Sequence, residues 1–240
     1  VRTTDGHLHA WGQAKSGGAI PADIQMGLEG AGGITHIATT QLAIHVRTTE
    51  GRWFVWGNLA ETPPMVLSNS TRAALESASG ITHFHCHFTA CVVRTNEGLW
   101  LGWGQPTHGG TIPDNIQTLL SAADIAELSS SPTGYSFAAK TTDGRLIVWG
   151  SSSHGVVPAH IQLALDASGV SHHAFSTGAA AARTNDGRFF AWGSSDWGGS
   201  IPADTQTALD ALPDIAFFCA TQIAFAACTS NAQCYTWGPA

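Results

Sequence analysis

The segment Thr141-Thr142-Asp143-Gly144-Arg145-Leu146-Ile147-Val148-Trp149-Gly150 is a polar turn followed by an apolar strand. Thr-x-Asp-Gly between two apolar runs signals a β-hairpin, because glycine accepts the positive φ that such turns demand. The strand is apolar on both faces, with Ile147 and Trp149 on one and Leu146 and Val148 on the other. A sheet with one wet face would alternate apolar and polar residues. Burial on both faces means sheets stacked on sheets.

The same phrase recurs through the chain. A Trp-Gly pair begins at Trp11, Trp56, Trp103, Trp149, Trp192 and Trp237. The repeat is therefore about 45 residues long, the scale of one propeller blade. Turn glycines preceded by an acid stand at Asp5-Gly6, Glu50-Gly51, Glu97-Gly98, Asp143-Gly144 and Asp186-Gly187, and the last copy reads Asn231-Ala232. After the Trp-Gly pair come Gly/Ser-rich residues and then Ile20-Pro21, Ile112-Pro113, Val157-Pro158 or Ile201-Pro202. Apolar residues at i,i+4 follow, such as Ile161 and Leu165, and predict a helix of one or two turns. A further strand is expected over 34–38, 81–85, 125–129, 170–174 and 215–219. The fold class expected is all-β, a β-propeller of five full units plus a split sixth, in a single domain over residues 1–240. Five to six blades, or part of a seven-bladed array, both fit this count.

Composition narrows the function. Only 11% of the 240 residues are charged, against about 25% in an average domain. The net charge of −7 argues against nucleic acid, which requires a basic surface. No apolar run approaches the ~18 residues of a membrane span. Five cysteines leave at least one without a partner inside the chain.

The Thr-x-Asp-Gly-x-x-x-x-Trp-Gly segments, with strands of the Ala224 to Ala227 kind before them, resemble the repeat of the regulator-of-chromosome-condensation family. Bacterial repeat proteins carrying Gly-Gly-x-Ile-Pro after the Trp-Gly pair are the most similar in pattern. The resemblance covers the whole chain. It implies a propeller, usually seven-bladed, and roles that range over exchange factors, enzyme inhibitors, photoreceptors and surface-protein modules. A fold does not choose among them.

Charge is placed by the repeat. A basic residue stands four before each turn glycine: Arg2, Arg47, Arg94, Lys140 and Arg183. Three more follow the glycine directly: Arg52, Arg145 and Arg188. These eight of the ten basic residues would share one rim with the five turn acids, either ion-paired across strands and turns or meeting an anionic ligand or an acidic protein. Hairpin geometry also sets Arg47 opposite Trp53, Arg94 opposite Trp100 and Arg183 opposite Phe189, as cation–aromatic pairs. The equivalent pair in the last unit is Cys228 and Cys234. Opposed strand positions lie within disulfide reach, so a disulfide is expected there, and with it an oxidising compartment.

Two clusters invite a chemical reading. His83, His85 and His87 alternate along one strand with Cys91 close by, a zinc-like set that converges only if a second strand contributes. No metal is assigned to it. By the family resemblance, His36, His83, Glu127 and His172 would line a central channel with Phe217 in the fifth place, as a ring that binds an anion or a metal or responds to pH, or as polar lining. Trp197 sits in a loop before Gly198-Gly199, either as a protein or sugar contact or as a lid on a neighbouring blade. No catalytic motif appears. The expected function is a non-enzymatic module that presents loop rims to a protein partner, without cofactor, at a bacterial cell surface or outside the cell. The alternatives are a glycan-binding propeller, an exchange factor and an enzyme inhibitor.

Overall fold

The computed structural model describes residues 8–59, 66–131, 135–152, 156–212 and 214–239. Five three-stranded antiparallel sheets carry the described residues. Each sheet is one Ile34-type strand followed by the hairpin. The first is β1 (Ile34–Thr39), β2 (Ala43–Thr48) and β3 (Trp53–Gly57); the second is β4 (Ile81–Cys86), β5 (Ala90–Thr95) and β6 (Trp100–Gly104). The third is β7 (Ile125–Ser130), β8 (Ser136–Thr141) and β9 (Leu146–Gly150). The fourth is β10 (Val170–Phe175), β11 (Ala179–Thr184) and β12 (Phe189–Gly193), and the fifth β13 (Phe217–Ala220), β14 (Phe225–Cys228) and β15 (Cys234–Trp237). This is the all-β propeller class, with each sheet a blade. The chain falls into two compact units, Val1–Ile112 with the first two sheets and Pro113–Ala240 with the other three.

Helices α1 (Ala22–Glu29), α2 (Asn69–Ser77), α3 (Asp114–Ser121), α4 (Ala159–Ser168) and α5 (Ala203–Asp210) precede the five sheets in turn. They run eight to ten residues, longer than the expected turn or two. Pro21, Pro113, Pro158 and Pro202 hold the N-cap positions, where a missing N–H leaves no helical bond unmade. A polar pair four residues apart then guards the open edge of a sheet. Gln206 donates to the Phe189 carbonyl while Asp210 accepts the Phe189 N–H. Arg72 and Glu76 bond the Trp53 carbonyl and N–H in the same way. Covering the edge in this manner removes a template for unwanted strand pairing.

The hairpin turn follows from its threonine. Thr141, Thr184 and Thr229 accept the amide four residues on and donate to Asp143, Asp186 and Asn231 respectively. The turn glycines have φ of +84 to +96, at Gly51, Gly98, Gly144 and Gly187. Ala232 takes the same backbone with φ 66, the sole non-glycine residue at positive φ among the described residues. A left-handed alanine costs about 1–2 kcal/mol.

Within each unit the core consists of seams between consecutive sheets. In the first unit, Trp53 and Val55 of the first sheet pack on Cys91, Val93 and Trp103 of the second, with Leu75 of α2 closing the end. In the second unit, Leu146 and Val148 meet Ala180, Ala182 and Trp192, and Phe189 and Ala181 meet Phe225, Ala227 and Trp237. The expected burial of both strand faces is what builds these seams.

Candidate functional site

One transverse row crosses each sheet beside its turn. It reads His36–Arg47–Trp53, His83–Arg94–Trp100, Glu127–Lys140–Leu146, His172–Arg183–Phe189 and Phe217–Cys228–Cys234. The pairing of basic residue with aromatic has the expected register, and the Arg94 and Arg183 guanidinium carbons lie 6.0 and 5.7 Å from the Trp100 and Phe189 ring centres. The side chains do not present themselves as a charged rim, however. Arg47 is 5% exposed and donates to the carbonyl of Ala78, the C-cap of α2. Arg183 donates to Leu212 just beyond α5, and Lys140 to Ser171 at the start of β10. Cations at a helix C-terminus neutralise its partial negative charge. These residues are clasps between a sheet and the segment that begins the next. Arg94 is half-buried against its indole. Arg2 lies outside the described residues.

The basic residues after the glycine do reach the surface, each with a local partner. Arg52 lies 4.9 Å from the Phe54 ring centre and donates to Gly27. Arg145 pairs with Asp166 at 3.5 Å, and Arg188 with Asp186 at 3.1 Å. Pairs this exposed contribute about 0–1 kcal/mol each.

Trp197 is not a free loop aromatic. It closes a short 3-10 turn, Ser195–Trp197, that recurs as Ala14–Ser16 and Pro106–His108. Its indole packs on the fourth and fifth sheets and lies so close to Gly178 that a Cβ there would meet it at 2.9 Å. The half-buried indole thus lies over the fourth and fifth sheets, the placement the lid reading expects. The paired glycines after each turn have a physical reason. A Cβ on Gly18, Gly110 or Gly199 would come within 2.4 to 2.7 Å of the carbonyl carbon of the Trp-Gly glycine. The turn also receives an indole: Trp56 Nε1 donates to the Gly17 carbonyl, and Trp237 Nε1 to Gly198.

The histidine strand divides its labour. His83 stacks on Trp100 and shares a hydrogen bond with Thr82. His87 caps the turn into β5: its Nδ1 accepts the Thr89 and Ala90 amides, and Nε2 bonds the His108 carbonyl. Thr40, Ser131, Ser176 and Thr221 hold the same place in the other sheets with a hydroxyl. Burial is the main force that holds the His87 pKa down at about 4. Within their own sheets His36 and His172 stand at one register position, each opposite its arginine. Burial first and the arginine second lower their pKa. Glu127 pairs with Lys140 at 3.8 Å.

Cys228 and Cys234 are joined by a disulfide. Cys86 and Cys91 form a second one, which the histidine-rich reading of that strand obscured. Cys219 is the free thiol and is exposed.

The second unit contains a cleft of about 400 Å³ that sequence reasoning did not anticipate. It runs along the open edge of β9 between α3 and α4. Ile116 and Leu119 of α3 line it with Val156 and Val157, together with the Arg145–Asp166 ion pair and Gln162, which donates to the Leu146 carbonyl. β9 pairs only with β8 among the described residues. Val156 is 61% exposed and Leu163 on α4 72%, so apolar surface continues past the cleft. No helix among the described residues is long and apolar enough to cross a membrane.

The fold is a propeller, similar to that of regulator-of-chromosome-condensation-type proteins. No family model and no curated protein sequence matches this chain. Among solved structures it is similar to human WBSCR16, with 16% identity and a TM-score of 0.51 over 85% of this chain and 61% of that one. Prp20p from Saccharomyces cerevisiae gives 12% identity and a TM-score of 0.50 over 91% of this chain and 61% of that one. The ectodomain of the receptor kinase CR4 from Physcomitrella patens gives 12% and 0.51 over 86% and 52%. These likenesses are of fold, and the chain spans about three fifths of the first two proteins and half of the third.

Proposed function

We propose that this chain is a non-enzymatic binding module that holds an apolar segment of a protein partner. The observation that carries the reading is the apolar cleft along β9, a strand that pairs with no strand but β8 among the described residues and whose Leu146 carbonyl accepts from Gln162 at one end of the cleft. Such an edge can receive an extended peptide, whose backbone supplies affinity and whose alternate side chains fill the walls. The comparisons support the class of partner. Prp20p binds Gsp1p and histones, and Kap60 has been seen bound to yeast RCC1 (Prp20). The two disulfides support a place at the cell surface or outside the cell, since such bonds persist in oxidising compartments.

A random-peptide display library selected against the intact chain tests this reading. Peptides with apolar residues at alternate positions are expected, and Ile116→Asp should weaken them at least tenfold. Selection of nothing above background, or of peptides indifferent to Ile116→Asp, would contradict it.

A further inference from the structure

His45 is the most buried polar side chain of the first unit that has no visible reason to be there. It is 0% exposed, and neither ring nitrogen has a hydrogen-bond partner. A buried polar group left unpaired costs about 1–3 kcal/mol, so an exception needs a cause. Its register position in the middle strand is held by Val92, Ala138, Ala181 and Ala226 in the other sheets. The seam it faces is anomalous too. Elsewhere this alanine meets Phe175 and Ala180, or Ala220 and Phe225. His45 meets Cys86 and Cys91 instead, with the Trp103 ring 5.6 Å away. Two departures from the repeat thus stand on opposite sides of one interface and face each other.

The donor atoms are close enough to share an ion. A ring nitrogen of His45 and the two Sγ atoms lie within 4.8 Å of one another. In a tetrahedral zinc site two sulfurs, each about 2.3 Å from the metal, are about 3.8 Å apart. We propose that His45, Cys86 and Cys91 form a buried metal site that opens when the Cys86–Cys91 bond is reduced, and that it takes a thiophilic dication of the Zn2+ class. His83 and His85 alternate with Cys86 along β4 and so sit on the opposite face of that strand, and His87 lies in the turn beyond it. The second strand that a convergent site requires is β2, from the neighbouring sheet.

The chemistry balances with a dithiol as reductant. Two electrons pass to the disulfide, the S–S bond breaks, two thiols form, and the dithiol leaves as its own disulfide. Metal binding then forms two metal–sulfur bonds and releases two protons. The imidazole adds a lone pair from nitrogen, and burial keeps it neutral by holding its pKa at about 4. Two thiolate charges cancel those of Zn2+, so the apolar seam gains no net charge, the condition under which an ion is tolerated there. Three protein donors leave one position for water or a small anion. Soft thiolates also discriminate against Mg2+ and Ca2+.

The test is titration of the full chain with Co2+, a coloured stand-in for Zn2+, in a Cys219→Ser, Cys228→Ser, Cys234→Ser background that leaves only this cysteine pair. After reduction with a phosphine, one equivalent should bind with thiolate-to-cobalt charge-transfer absorption, and Zn2+ should displace it. The oxidised protein should bind none, and His45→Ala at least tenfold more weakly. If the reduced apoprotein loses its cooperative unfolding transition, Zn2+ should restore it. Absence of a stoichiometric complex, equal binding by oxidised and reduced protein, full affinity in His45→Ala, or no restoration by Zn2+ would each overturn the proposal.

Discussion

Cys228–Cys234 and Cys86–Cys91 each tie a middle strand to its neighbour in register, with Cα atoms 4.1 Å apart. The first lies in the turn-side row of the last sheet, where other sheets set a basic residue against an aromatic or a leucine, and Cys234 is exposed. The second lies at the far end of its sheet, in the seam with the first sheet, and Cys91 is fully buried. One substitutes for a repeat pair and holds a hairpin whose turn lacks glycine. The other faces an imidazole across an apolar seam. The same bond is thus a local staple in one place and part of an inter-sheet contact in the other.

The largest difference expected between the two regions is in acid. His87 adjoins the buried pair, and nothing like it adjoins the exposed one. Its folded pKa of about 4 lies below the ordinary 6.5. The unfolded chain therefore takes up the proton first. Stability is complete above pH 6.5 and falls as pH drops toward 4, by about 3 kcal/mol. His45 adds a loss in the same direction. Urea unfolding of the oxidised protein at pH 7 and pH 4.5 should show this, and His87→Ser, which installs the hydroxyl of Ser131 and Ser176, should remove about 2–3 kcal/mol of the loss. A slope unchanged by His87→Ser would show that the imidazole does not cap the turn.

Removing the exposed staple comes next. Cys228→Ser with Cys234→Ser frees a short loop and should cost about 2 kcal/mol on the chain-entropy account, measured as the shift in urea midpoint at constant slope. Ala232→Gly should raise stability by about 1 kcal/mol, because glycine adopts the observed φ of 66 without strain. A loss instead would mean that the turn is not left-handed. Smallest is the return of the repeat pair: Cys228→Arg with Cys234→Phe should recover about 0.5–1 kcal/mol of what the serine pair loses, and an even result would show that the row does not depend on that contact.

The parts of the molecule that depend on local register were readable in the sequence. Thr141 to Gly150 contains the turn, the strand and the indole of its seam, and counting across the turn places Cys228 opposite Cys234. What depends on the neighbouring sheet was not readable. Arg47 looks like rim charge until α2 is seen to bring the Ala78 carbonyl beneath it. Cys86 and Cys91 were hidden because the turn between them is capped by an imidazole where its counterparts use a hydroxyl. The recurrence of the turn holding Trp197 was masked because Ala14–Ser16, Pro106–His108 and Ser195–Trp197 share backbone but no side chains. The cleft along β9 is built from two helices and an edge strand, and no motif spans them.

The central claim, that sheets bury one another face to face around their middle strands, is tested most directly by amide hydrogen exchange mapped by mass spectrometry. The account predicts the slowest exchange in β2, β5, β8, β11 and β14, which are hydrogen-bonded on both sides, with faster exchange in α1 to α5. Protection concentrated in the helices, with the five middle strands exchanging like edges, would contradict it.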